Sequence, residues 1–350
     1  MLRRSASRLL LAMLAAMSVS PAWADGFAGA GSTFAHPLLA RWGQVYTALQ
    51  GEGGSAFGAD GGFDYEPVGS MGGIMRVLQR AVDFGATDVP MQPEEVERHG
   101  LAQFPIATGG VAVVANLRGT PTGTLRLSAP VLARIYLGEV TRWSDPAITA
   151  LNPGLRLPEA PIAVVHRSDR SGTSWHFTTY LAAGSPEWQS RIGVETLPRW
   201  PVGTGLRGNS AVADRVQATE NSIGYVEAGQ AAQRGLPVAL LENRAGRFVA
   251  PTLPTLRAAL ASTRWDPRRH FAQGATDATG EDAYPITATV FVVAPRQPGT
   301  AARGRHLTEF FRMALTERAG DATALGFVPL PEAVAREVSE YWRSSISGAR

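Results

Sequence analysis

The residues with the clearest chemical potential stand in a polar turn near the middle of the chain. The turn follows an apolar run typical of a buried strand, and a helical pattern opens after it at Ser171. The first amides of a helix lack intrahelical acceptors and attract anions. Arg167 would add fixed donors, which Asp169 could orient. Thr173 would add a hydroxyl, and Gly172 would leave room for a ligand to approach the backbone. The turn predicts an oxyanion pocket, although an ordinary capped helix with a surface ion pair fits the same residues.

Two further turns of small residues precede helical patterns. Residues 29–34 predict a glycine-rich turn in which Thr33 caps the helix that follows. Residues 69–73 predict a second such turn, after a short strand at 65–68. Asp88 follows a predicted strand at the edge where open α/β sheets bind ligands.

The elements that would position these turns alternate along the chain, which indicates an α/β fold. Strands are predicted at the following ranges: 65–68, 82–86, 111–115, 162–165, 223–226 and 285–293. The apolar runs near 104–115 and at 285–293 predict two crossings between lobes. The glycines of 203–208 match a dinucleotide fingerprint only weakly because Pro201 interrupts the approach, so they predict a structural loop before a helix.

The N-terminal residues and the composition restrict the class of protein. Arg3, Arg4 and Arg8 precede a short apolar run and an Ala-Trp-Ala site, which predicts a signal peptide over 1–24 with cleavage after Ala24. Cleavage removes three of 33 basic residues and none of 30 acidic ones, so the mature chain is formally neutral. A basic nucleic-acid surface is therefore not indicated. The chain has no cysteine, so we expect neither disulfides nor a lipidated N-terminal cysteine.

Several segments, in this order, resemble the periplasmic phosphate-binding proteins of ABC-type phosphate-specific transport systems. The matching segments span the mature chain: 29–34, 68–70, 82–90, 135–140, 151–155, 167–174, 223–227 and 280–286. The resemblance implies two α/β lobes of the type II binding-protein fold around a ligand cleft, joined by a hinge. The implied divisions are a first lobe from 25–107 and 286–350, and a second from 108–285.

The resemblance also implies a function and a set of contacts. We expect a monomer in the periplasm, without cofactor, metal, nucleic acid or membrane anchor, that binds inorganic phosphate and delivers it to the membrane permease of an ABC importer. The implied phosphate-binding residues are Ser32, Thr33, Phe34, Ser70, Asp88, Arg167, Ser171, Gly172 and Thr173, with Asp169 orienting the arginine. Among them, Phe34 would donate its backbone amide and Asp88 would accept the proton of the ligand.

Three features depart from the family pattern. Met71 stands where a second serine is frequent, Arg170 where glycine is usual, and the loop at 51–62 is longer than usual. The expected consequence of Met71 is the loss of a hydroxyl donor, and that of Arg170 is an altered turn or a second cation near the cleft. The loop is expected to be a surface insertion.

Two alternative functions use the same residues. A secreted phosphate-ester hydrolase would need Ser171, His176 and Asp169 as nucleophile, base and acid, but a separation of five helical residues turns the first two about 140° apart. A phosphate-sensing or surface interaction protein would keep the binding fold without transport.

Overall fold

The structure is a computed structural model that describes residues 27–52 and 62–349. The predicted signal peptide and most of the 51–62 loop lie outside these residues. Strands and helices alternate through the described chain. The strands are β1 Phe27–Gly31, β2 Phe63–Glu66, β3 Phe84–Thr87, β4 Leu101–Asn116, β5 Arg126–Leu127, β6 Ala163–Arg167, β7 Thr204–Leu206, β8 Ser222–Glu227, β9 Leu240–Glu242, β10 Phe248–Val249, β11 Thr287–Pro295 and β12 Val328–Pro329.

Helices connect many of these strands. They are α1 His36–Glu52, α2 Ser70–Leu78, α3 Pro93–Arg98, α4 Ala129–Tyr136, α5 Pro146–Thr149, α6 Gly172–Gly184, α7 Pro186–Arg191, α8 Gly208–Ala218, α9 Ala228–Gln233, α10 Leu253–Leu260, α11 Ala301–Leu315, α12 Ala319–Ala324 and α13 Glu332–Ser345, with a 3₁₀ turn at Pro267–Arg269.

One long strand joins the two lobes. Strands run in the order β2-β1-β3-β11-β4-β8-β6-β7, and β12 also pairs with β4. The first part of β4, Leu101–Gly110, pairs antiparallel with β11, and its second part, Val111–Asn116, pairs with β8. β4 is therefore shared by a first group of strands and a second, and the protein has a two-lobed α/β fold. A separate three-stranded sheet has the order β10-β9-β5.

Parallel pairing brings the functional turns to one edge of each sheet. β1 lies parallel to both β2 and β3, and Gly31 pairs with Ala86 at the carboxyl ends of β1 and β3. Gly31 has a φ of 137°, and a Cβ there would lie 2.1 Å from the Ala86 carbonyl oxygen. Glycine is thus required where the chain leaves β1. In the second group, β6 lies parallel to β7 and β8, so the chain leaves β6 and β7 at the same edge.

The core behind this edge is aromatic. The rings of Phe27 and Phe84 stack with centroids 5.2 Å apart, and Phe310 of α11 stacks on Phe63 at 4.7 Å. Phe84 is fully buried. This packing fixes the amino-terminal ends of β1 and β3, opposite to the edge with the functional turns, against α11.

Several sequence predictions were wrong in detail. Residues 29–31 belong to β1 rather than to a turn, because pairing on both sides draws them into the sheet. β2 begins and ends two residues earlier than the strand predicted at 65–68, and β4 begins at Leu101, ten residues before the strand predicted at 111–115. The predicted loop at 203–208 contains β7, because Thr204–Leu206 pair with the end of β6.

Candidate anion-binding site

Four helix N-termini meet between the two groups of strands. α1 and α2 begin after β1 and β2, whereas α6 and α8 begin after β6 and β7. Each of the four helices has at least nine residues. Helix N-termini present unpaired amides and partial positive charge, so their meeting point favours an anion.

Ser70 and Asp88 form the part of the site that comes from the first group. Both residues are 1 % exposed. The Ser70 hydroxyl donates to Asp88 Oδ1 over 2.7 Å, and Ser70 Oγ accepts from the Gly172 amide over 3.2 Å. Asp88 Oδ2 is buried and has no hydrogen-bond partner among the described residues. One oxygen of a buried carboxylate is thus free to accept a proton from another molecule.

Gly172 allows α6 to approach this carboxylate. A Cβ at position 172 would lie 2.5 Å from both Cγ and Oδ2 of Asp88, and 2.7 Å from Ser70 Oγ. A Cβ cannot hydrogen-bond, and real Cβ atoms essentially never come within 3.0 Å of such atoms. The position therefore needs glycine so that the helix amide and the carboxylate can face the same point.

Arg167 ends β6 and is held by a carboxylate two residues later. Its Nε donates to Asp169 Oδ1 over 2.7 Å, and one terminal nitrogen donates to Asp169 Oδ2 over 2.5 Å. The other terminal nitrogen lies 3.4 Å from Thr173 Oγ1. The Arg167 guanidinium is 1 % exposed, so this fork fixes its plane in a water-poor site.

The pKa of Asp169 reflects opposing influences. Burial raises it, but hydrogen bonds and charge from Arg167 and the amide of Gly208 bring the pKa below its usual value. Asp169 is therefore ionised at neutral pH, and its charge offsets that of Arg167.

The first three predicted contacts, Ser32, Thr33 and Phe34, form a first contact segment just before α1. The backbone amides of Phe34 and Ala35 donate to the Ser32 hydroxyl over 3.1 and 3.2 Å. Ser32, rather than the predicted Thr33, therefore supplies the capping oxygen, because it directly follows the strand and its hydroxyl meets the first free amides. The Phe34 amide, expected to face the ligand, is engaged by Ser32 in this structure.

The other predicted hydroxyls lie on α6. Ser171 is the N-cap of that helix, and its Oγ accepts from the Ser174 amide over 3.2 Å. Thr173 is 1 % exposed and lies between the Arg167 guanidinium and Asn209. The structure thus brings both residues to the same buried helix end as Gly172.

Sequence reasoning missed Asn209, the second residue of α8. Its Nδ2 donates to Thr33 Oγ1 over 3.1 Å and lies 3.4 Å from Thr173 Oγ1, so it connects the two groups of strands. The signal was present: a Gly-x-Gly-x-x-Gly turn followed by Asn opens a helix. The glycines predict a loop before the helix, so the sequence does not indicate the strand at Thr204–Leu206 that leads into it.

The residues considered for hydrolysis do not form a triad. Ser171 caps its helix, and the Asp169 carboxylate binds Arg167. His176 Nε2 donates to the Asp88 carbonyl over 2.7 Å, and Nδ1 contacts Thr276 Oγ1 over 2.6 Å. Burial lowers the pKa of His176 although the Asp88 charge opposes this, so the ring is neutral at pH 7. His176 therefore serves as a contact to the Asp88 backbone.

The two substituted family positions lie at the border of the site. Met71 is half-buried in the first turn of α2, and Arg170 is exposed. Among the described residues, no group of three or more His, Asp or Glu side chains could hold a metal ion. Within residues 27–52 and 62–349, no helix is long and apolar enough to cross a membrane.

The arrangement suits an anion that carries a proton. Helix amides, hydroxyls and a guanidinium are donors, and they would bind the oxygens of any tetrahedral anion. Asp88 Oδ2 is an acceptor within the same site. A carboxylate can face an anion favourably only where the anion donates an O–H.

Comparison with known proteins gives a consistent result. Residues 19–316 match the PBP superfamily domain. The chain is 40 % identical over 316 residues to the phosphate-binding protein PstS of Xylella fastidiosa strain Temecula1, covering 90 % of this chain and 84 % of that protein. It is 36 % identical over 341 residues to PstS of Pasteurella multocida, covering 97 % and 96 %. A phosphate-binding protein from Stenotrophomonas maltophilia has the same fold, with a TM-score of 0.68, 19 % identity and coverage of 89 % and 92 %.

Proposed function

The chain belongs to the PstS family of phosphate-binding proteins within the PBP superfamily, and from this membership we propose that it binds inorganic phosphate and delivers it to an ABC-type phosphate importer. It is the solute-binding component of that system, without catalytic turnover. The observation that carries the proposal is Asp88 Oδ2, a buried acceptor without a partner among the described residues, beside helix N-termini and Arg167.

The chemistry of the site supports phosphate over other tetrahedral anions. Phosphate near pH 7 carries at least one O–H, which it can donate to Asp88 in a short charge-assisted bond. Sulfate has no proton, so its oxygens would meet the carboxylate directly. The donors of the site, including Arg167, would bind either anion, so discrimination belongs to Asp88.

The proposed phosphate contacts are those predicted from the sequence. They are Ser32, Thr33, Phe34, Ser70, Asp88, Arg167, Ser171, Gly172 and Thr173, with Asp169 orienting the guanidinium. Asp169 is supported in that role by its two hydrogen bonds to Arg167. The engagement of the Phe34 amide by Ser32 implies that Ser32 turns its hydroxyl, or that this amide contributes only through its dipole.

The setting of the protein follows from the same proposal. The mature chain begins at Asp25 and works as a monomer in the periplasm, where its partner is the membrane permease of the importer. The lobes are formed by 25–107 with 286–350, and by 108–285. The division near 107 is supported by the change of partner along β4, from β11 to β8.

Calorimetric titration tests the proposal. Mature protein stripped of phosphate by unfolding and refolding is titrated with phosphate and with sulfate at the same ionic strength. Saturable heat for phosphate with one site per chain, and no comparable heat for sulfate, is expected. Equal binding of both anions, or of neither, would contradict the proposed function.

A further inference from the structure

Asn209 lies where the two groups of strands meet, and it is not one of the predicted phosphate-binding residues. The residue is fully buried at the start of α8. Its Nδ2 reaches Thr33 Oγ1 on one side and Thr173 Oγ1 on the other. Its Oδ1 is buried and has no partner among the described residues.

The direction of these hydrogen bonds has a chemical consequence. A carboxamide nitrogen only donates, so each threonine oxygen that meets Nδ2 must accept. A hydroxyl has one proton and two lone pairs, and it can accept one bond while donating another. Thr173 Oγ1 also accepts from a terminal nitrogen of Arg167 over 3.4 Å, so both of its lone pairs are engaged. Thr33 and Thr173 therefore keep their protons for a third group, which is the anion if the proposed function holds.

The pattern is unusual for an asparagine that merely fills space. Buried polar groups generally satisfy both ends, because an unpaired one costs free energy. Asn152 shows that usual pattern: it is buried, Oδ1 accepts from the Arg126 amide, and Nδ2 donates to the carbonyls of Arg126 and Ile148. At Asn209 the nitrogen serves two site hydroxyls while the oxygen has no such partner.

The same helix end touches the rest of the site. The Gly208 amide donates to Asp169 Oδ1 over 3.3 Å, next to the bond from Arg167. Gln230, which follows β8 of the second group, donates from Nε2 to the Thr33 carbonyl over 3.3 Å. Thr33 belongs to the first group of strands, and these partners belong to the second. The start of α8 is therefore coupled to both the cation and the first contact segment.

We propose that Asn209 is a positioning residue of the phosphate site, which sets the Thr33 and Thr173 hydroxyls as donors toward the anion and joins the lobes through them. The inference rests on the proposed phosphate function. It assigns the residue a role in hydroxyl polarity that an acceptor of equal shape could not perform.

Asn209→Asp is the first variant because it keeps the shape and removes the donor. The hydroxyls would then donate to the new carboxylate, which also adds a negative charge. We expect phosphate affinity to fall by about 100-fold at pH 8, the effect of redirecting charge-assisted donors. Affinity equal to that of wild type would overturn the inference.

Asn209→Ala in a double-mutant cycle gives the second test. Alone it should weaken phosphate binding about tenfold, because a hydroxyl that is no longer oriented loses its hydrogen bond to the charged anion. In a Thr33→Val, Thr173→Val background, the same change should alter affinity less than about twofold, since the hydroxyls it orients are gone. Additive losses would show that Asn209 does not act through these hydroxyls, and would overturn the inference.

Asn152→Asp serves as the matched control for stability. It should lower the melting temperature and leave phosphate affinity at the wild-type value, because Asn152 contacts only backbone groups away from the site. Wild-type protein that fails to bind phosphate would contradict the proposed function itself. Wild-type protein that binds phosphate beside an unaffected Asn209→Asp variant would contradict only the role of Asn209.

Discussion

Replacing Asp88 with asparagine should abolish the selectivity of the site while leaving the fold intact. The side chain is buried at the end of β3, where Oδ1 accepts from Ser70 and Oδ2 has no partner among the described residues. Asparagine has the same shape, and its carbonyl oxygen can accept the Ser70 bond. Its nitrogen would then take the place of Oδ2, so a donor replaces the acceptor.

The size of the effect follows from the charge that is removed. A carboxylate and an anionic oxygen about 4 Å apart repel by about 4 kcal/mol at an effective dielectric constant of about 20, which equals about three powers of ten in affinity. Sulfate bears this repulsion in full, whereas phosphate replaces it with an O–H bond. In the asparagine variant, sulfate loses the repulsion and phosphate loses its acceptor, so the two affinities converge.

Isothermal titration at pH 7.5 with each anion measures the ratio of the two affinities. Asp83→Asn is the control, because Asp83 precedes the same strand at its opposite end and contacts Arg303 and the Ala28 amide. It should change stability without changing the ratio. Wild-type selectivity in Asp88→Asn would refute the assignment of Asp88 as proton acceptor.

Three further predictions concern other parts of the molecule. Gly172→Ala should weaken phosphate binding by about 2 kcal/mol, or about thirtyfold in a titration, because the added methyl displaces Asp88; unchanged affinity would show that the helix shifts freely. Burial raises the pKa of Glu227 to about 8 against the opposing amides of Gly229 and Gln230, so the folded state keeps a proton that the unfolded state releases. Stability in urea should therefore fall as pH rises from about 4.5 to 8, by up to about 1.4 kcal/mol per unit, and Glu227→Gln should remove this slope. Phosphate should reduce the radius of gyration in small-angle scattering, since its proposed donors lie on both lobes; an identical radius with and without phosphate would argue for a rigid site.

Local patterns in the sequence were sufficient to predict part of the site. The strand, polar turn and helix start around Arg167 were predicted because apolar runs, turn residues and caps act over a few positions. Asp88 was placed correctly at the end of a strand, since Pro90 limits that strand from the sequence itself. The family resemblance then indicated that distant turns share one ligand.

Contacts between distant segments could not be predicted in the same way. Residues 29–31 form a strand because they pair with β2 and β3. A glycine-rich sequence has low strand propensity and does not predict such pairing. β7 forms only because three residues align with β6. Asn209 was missed for the same reason: its significance lies in Thr33, 176 residues away.

The charges of the site explain why hydrogen-bond polarity must carry its specificity. Asp169 offsets the charge of Arg167, and His176 is neutral, so Asp88 leaves these four side chains with a formal charge of −1. Net charge therefore does not attract the ligand into the site. Oriented amides and hydroxyls must hold its oxygens, and one acceptor must meet its proton. A donor turned into an acceptor, or the reverse, then changes which anion fits, although the shape of the site stays the same.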